Sequence, residues 1–119
     1  MRLATLDKLL EEAGIDRVDF LPLDVEGHEI EVMRGFNFNK YQPALILIED
    51  GVRDLSKHRF LKSHGYKLVK RTGLNNWYVP RHCDFQMSSL PEKIMLLRKM
   101  YFALPFRKYR LWCRRRAKR

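Results

Sequence analysis

The chain reads as an α/β fold in which two parallel strands alternate with helices, closed by an antiparallel hairpin and followed by a basic helical tail. Three observations predict it. Two apolar runs, 18–25 and 44–49, end on acids and lead into segments of helical periodicity, the signature of strands feeding helices. Two further runs, Tyr66–Arg71 and Trp77–Val79, flank a turn-rich stretch and read as a hairpin. Beyond Pro80 both the charge balance and the periodicity change.

Taken in order, Thr5 caps a helix whose Leu6, Leu9, Leu10 and Ala13 share one face, and Gly14 stops it. Its acids Asp7, Glu11 and Glu12 form a solvated face. The first strand, Val18 to Val25, is nearly continuous in apolar character, which predicts burial on both faces. Pro22 cannot donate to a ladder, so it predicts either an edge position or a bulge. A helix follows from Gly27 to a left-handed cap at Gly35, and residues 36–43 form a short polar and aromatic connection. The second strand, 44–49, ends on Glu49 and Asp50. A helix over 54–65 turns Leu55, Phe60 and Leu61 inward, and a turn at 72–76 joins the strands of the hairpin. This order gives a right-handed α/β unit finished by an antiparallel pair.

Composition bounds the rest. At 119 residues with 45% hydrophobic content, the chain can bury one core. Of 24 basic and 14 acidic residues, twelve of each lie in residues 1–80, so the net charge of +10 sits wholly in residues 81–119. We therefore divide the chain into a domain, 1–80, and a basic amphipathic tail, 81–119. Cys83 and Cys113 make neither a metal-binding pair nor a disulfide framework and suggest a reducing, cytoplasmic compartment. No secretory leader is visible, and no window approaches the roughly 20 apolar residues that span a bilayer.

In open α/β sheets, ligands bind beyond the carboxyl ends of the strands, where Asp24, Glu26, His28 and Glu29 fall. Asp24 at that position suits orienting or deprotonating a hydroxyl; equally, Asp24 and Glu26 suit capping the next helix, a contribution of about 0.3 to 1 kcal/mol. His28 reads as a general base or as a solvent-facing residue at the helix start. Val32 breaks the His28-Glu29 string, which excludes a zinc-protease site, and no spacing enforces any other metal site.

The segment 24–29 (Asp-Val-Glu-Gly-His-Glu), with Thr5-Leu6-Asp7 upstream and Leu47-Ile48-Glu49, Gly65-Tyr66 and 75–79 (Asn-Asn-Trp-Tyr-Val) downstream, resembles the carboxyl-terminal half of FkbM-type methyltransferases over residues 3–80. The resemblance implies a partial Rossmann-like class I domain that uses S-adenosylmethionine to methylate a hydroxyl, typically of a sugar or other small metabolite. It implies Asp24, Glu26 and His28 as catalytic residues and Glu49, Asn75 and Asn76 as acceptor-binding residues. Pro22 departs from the pattern, which usually has lysine there, and the first half of the family domain has no counterpart. The six glycines are isolated and form no G-x-G pair, so the loop that cradles the cofactor is missing. This leaves a fragment or truncated gene, a second chain that completes the sheet, or a domain that has lost catalysis.

In the tail, 89–92 (Ser-Leu-Pro-Glu) forms a capping box ahead of a helical face of Ile94, Leu97, Tyr101 and Leu104, and Pro105 should break that helix. The cations and aromatics beyond it suit a nucleic acid or an anionic membrane surface; the plainer reading is a packing helix with a disordered charged end.

Overall fold

The computed structural model describes residues 3–51, 54–84, 90–102 and 104–117. Helix α1 (Leu6–Glu12) precedes strand β1 (Phe20–Leu23), helix α2 (Glu29–Arg34) and a one-turn helix α3 (Phe38–Tyr41). Strand β2 (Leu45–Glu49), helix α4 (Ser56–Ser63) and the hairpin β3 (Tyr66–Thr72) and β4 (Asn75–Pro80) follow. The tail holds α5 (Leu90–Leu97), a π-helical turn Arg98–Phe102 and α6 (Leu104–Ala117). The result is a mixed α/β fold on a four-stranded sheet of order β1-β2-β4-β3.

The strands pair as the alternation of runs predicts. β1 lies parallel to β2 with Phe20 opposite Leu45 and Leu23 opposite Ile48. β2 runs antiparallel to β4, and β4 to β3, with an irregularity between Leu68 and Lys70. β1 occupies an edge of the sheet, the position that tolerates the missing N–H of Pro22.

One face of this sheet is buried and the other is largely open. Leu21, Leu23, Ile46, Ile48 and Tyr78 are buried with Met33, Leu61 and Tyr66. Alternate residues Phe20 and Pro22 are exposed, and Leu45, Leu47 and Trp77 are half-buried. This corrects the expectation that β1 is covered on both faces: its burial alternates strictly, and the described helices pack on one side.

Several local expectations hold. The Thr5 hydroxyl accepts a hydrogen bond from the Lys8 N–H at 3.3 Å and caps α1. Leu6 and Leu10 pack against the core, whereas Leu9 stays exposed. Others need correction. Gly35 has φ −87°, so it is not a left-handed cap. Its value is room: a Cβ there would lie 3.1 Å from Thr5 Cβ, where Asp7 N–H reaches the Gly35 carbonyl at 3.0 Å. The stretch 36–43 is more than a connection. Asn37 caps α3 by accepting from the N–H groups of Asn39 and Lys40, and α3 carries Phe38 and Tyr41 into the core. Phe36 stacks on Tyr41 at 5.3 Å and meets Phe38 edge-on at 4.9 Å, geometries favoured by the aromatic quadrupole.

The tail is anchored on the sheet through the π-helical turn. Met100 is buried, and the Tyr101 hydroxyl lies 3.0 Å from His58 Nε2. Ser89, the expected cap of α5, lies outside the described residues. Pro105 falls in the first turn of α6, where its missing N–H needs no partner, so it starts a helix rather than breaking one.

Candidate acceptor site at the acidic rim

Strand register brings three sequence-predicted residues into a row. Leu23 pairs with Ile48, so Asp24 emerges beside Glu49, which itself pairs with Asn75 on β4. By alternation these side chains share the open face with Pro22, Leu47 and Trp77. The half-buried Trp77 ring is held by its indole N–H, which donates to Thr72 Oγ1 at 2.9 Å.

Two carboxyls side by side cannot both ionise freely. Hydrogen bonding with Asp24, and then repulsion by its charge, raises the Glu49 carboxyl above the ordinary glutamate range. The two carboxyls thus share a hydrogen bond that holds them together at the strand ends. Two adjacent carboxyls on one surface suit gripping a hydroxyl and receiving its proton.

The turn after β1 shapes the rim from the other side. Glu26 and Gly27 both have positive φ, +49° and +97°, and His28 N–H closes the turn on the Val25 carbonyl at 3.3 Å. Such a turn reverses the chain within two residues and lets α2 start directly beneath the rim. Its consequence is that Glu26 and His28 project into solvent. Among the described residues neither side chain finds a hydrogen-bond or ion-pair partner, and His28 does not cap α2 with its ring. The structure thus gathers Asp24, Glu49 and Asn75 and leaves Glu26 and His28 apart from them.

Asn75 and Asn76 do not lie in a turn; both belong to β4, and only Gly73 and Leu74 form the hairpin loop. Asn76 faces the buried side. Its Oδ1 accepts from Arg71 at 2.7 Å and its amide contacts Met100 Sδ at 3.8 Å. An enclosed amide with these partners is a structural tie to the tail and lies on the face opposite Asp24, Glu49 and Asn75.

Sequence reasoning missed the residue that holds the rim together. Lys57 on α4 donates from Nζ to the Glu49 carbonyl at 3.2 Å and lies 3.2 Å from Glu29 Oε2 and 3.9 Å from Asp50 Oδ1. Glu29 is buried and also accepts from the Gly27 N–H at 3.2 Å. Burial would push its carboxyl up, but backbone N–H groups of Glu29 and Gly27 and the Lys57 ammonium together hold it below the ordinary range. A lysine on an otherwise polar helical surface carries no spacing signal, so only the packing of α4 on α2 reveals it.

Among the described residues, no group of three or more His, Cys, Asp or Glu side chains is placed to hold a metal ion. Nor do they form a cradle for a nucleoside cofactor. No glycine pair follows a strand, and Asp24, Glu26 and His28 stand on open surface. No described helix is long and apolar enough to cross a membrane.

Comparison with known proteins supplies the context. Searches of curated proteins and of solved structures returned no match. A family model, that of the methyltransferase FkbM domain, matches residues 1–68, more than half of the chain and all of α1 through α4. The chain belongs to the FkbM methyltransferase family.

Proposed function

We propose that the chain is the acceptor-binding part of a Rossmann-like, class I methyltransferase that transfers a methyl group from S-adenosylmethionine to a hydroxyl oxygen. The observation that carries this reading is the Asp24–Glu49 pair at the carboxyl ends of two parallel strands, inside the segment that matches the FkbM domain. The match to the methyltransferase FkbM domain supports S-adenosylmethionine as the methyl donor in this reading. The described residues do not fit it as a binding site by themselves.

The chain's own residues perform the acceptor side. Asp24 takes a hydrogen bond from the hydroxyl and is the group to which its proton passes. Glu49 beside it and Asn75 fix the orientation. Trp77 offers an apolar ring for the C–H face of a sugar or similar small metabolite. Lys57, Glu29 and Asp50 act as positioning residues by locking the backbone of the rim. Glu26 and His28 join the site only if the turn that carries them swings over a bound ligand. The unpaired edge of β1 is where a second polypeptide would complete the sheet and supply the cofactor's wall. The two free cysteines suit a reducing, cytoplasmic compartment.

Calorimetric titration with S-adenosylmethionine, alone and with a sugar acceptor, tests this reading. Heat on addition of the acceptor that disappears in Asp24→Asn supports the acceptor site. No heat with cofactor or acceptor at millimolar concentration removes enzymatic function from this polypeptide.

A further inference from the structure

The tail beyond the rim carries a second surface that methyl transfer does not use. From Lys93 to the end of the chain there is no acidic residue. α6 presents Lys108, Arg110, Arg114, Arg115 and Arg116 to solvent. Tyr109 stacks against Trp112 at 6.1 Å and the Arg116 guanidinium lies 4.3 Å over the Trp112 ring, so these three form one stripe along the helix. Helical spacing sets Lys108 and Arg115 on one flank of the stripe and Arg110 and Arg114 toward the other.

Among the described residues α6 packs little on the sheet. Its main packing partner is the π-helical turn, and the chain's radius of gyration, 16.2 Å, exceeds the value of about 13.5 Å expected for a compact domain of this length. The apolar residues that lead into it are also uncovered. Ile94, Met95, Leu97, Tyr109 and Trp112 are all at least half exposed. Three such side chains on α5 and two on α6 leave both tail helices with uncovered apolar surface that needs a partner.

We propose that α5 and α6 bind the surface of an anionic lipid bilayer. Three occupants can be weighed by chemistry. A second copy would set one acid-free tail against another, which like-charge repulsion opposes. A nucleic acid would use the cations and the aromatic stripe but has no use for Ile94 and Met95. A bilayer of anionic headgroups uses all of them: cations meet phosphates and carboxylates, Trp112 and Tyr109 sit at headgroup level, and aliphatic side chains enter the acyl boundary. The tail's anchors, Tyr101 on His58 and Asn76 on Met100, then tie the catalytic rim's sheet to that surface.

Flotation of the full chain with vesicles tests the proposal, comparing phosphatidylcholine with and without phosphatidylserine, and a single-stranded oligonucleotide at the same salt. The expected result is binding to anionic vesicles alone, weakening as salt rises, with quenching of tryptophan emission by brominated acyl chains that is lost in Trp112→Phe. Arg114→Ala with Arg115→Ala should weaken binding on the order of thirtyfold. Failure to float with anionic vesicles, unchanged quenching in Trp112→Phe, or tighter binding to the oligonucleotide overturns it. Far-UV circular dichroism confirms that each variant keeps its helices, and the Trp112→Phe arm decides the matter without any change to charge.

Discussion

Lys57 Nζ stands 3.2 Å from Glu29 Oε2, joining a buried carboxylate at the start of α2 to the helix that follows β2. The Lys57 side chain keeps about a fifth of its surface exposed, whereas Glu29 is almost fully enclosed, so losing the lysine strands the acid. Because the pair also bonds the backbone at Gly27 and Glu49, it sets how the two strand ends face each other.

Lys57→Met should lower stability by about 2 to 3 kcal/mol, below the roughly 3 to 5 of a fully buried broken pair because of the partial exposure. Urea unfolding reads it. The double variant Lys57→Met with Glu29→Gln should recover more than half of the loss, since the stranded charge is gone. Glu29, held below its usual range, contributes stability above pH 4.5 that is lost as pH falls through its lowered value. An acid limb in wild type that is missing from Glu29→Gln would be the signature.

Asp24→Asn should bring the Glu49 carboxyl down toward the ordinary glutamate range, because the hydrogen bond with the Asp24 carboxyl, and then its charge, cause the elevation. A raised carboxyl favours the folded state less as pH climbs through that range, so the substitution flattens this part of the stability profile. Carbon-detected NMR titration of Glu49 in both proteins checks the direction. An unchanged midpoint would separate the two carboxyls and remove the proposed acceptor site.

His58 sits between two hydroxyls, 3.1 Å from Tyr78 and 3.0 Å from Tyr101, and burial pushes its pKa below 6.5. Its unfolded form takes up a proton before its folded form does. Stability is therefore complete above pH 6.5 and falls as pH drops beneath it. Melting temperature recorded between neutral and mildly acidic pH should decline in wild type and decline less in His58→Gln.

Gly27→Ala meets no atom within 4 Å, yet φ there is +97°. The cost is therefore conformational, about 1 to 2 kcal/mol. Gly35→Ala reverses the cause: its φ is ordinary but the new methyl meets Thr5 Cβ at 3.1 Å. Adding Thr5→Ser should relieve only the second variant, and in part, since it removes the methyl at 3.3 Å and keeps Cβ at 3.1 Å, as thermal unfolding of the four proteins would reveal.

Both strand runs, the helices between them, the hairpin, the Thr5 cap and the family were legible in the linear order of residues, since each depends on neighbours a few positions apart. The acids at the ends of both strands were equally visible, which is why Asp24 and Glu49 could be named. Only tertiary structure decided which acids meet. Strand register put Asp24, Glu49 and Asn75 in one row, while a turn with two positive φ angles sent Glu26 and His28 into solvent and strand alternation sealed Asn76 beneath Met100. Lys57 and the open sheet face were beyond any local pattern, because burial and ion pairing depend on which surfaces pack together and not on the identity of the residue alone.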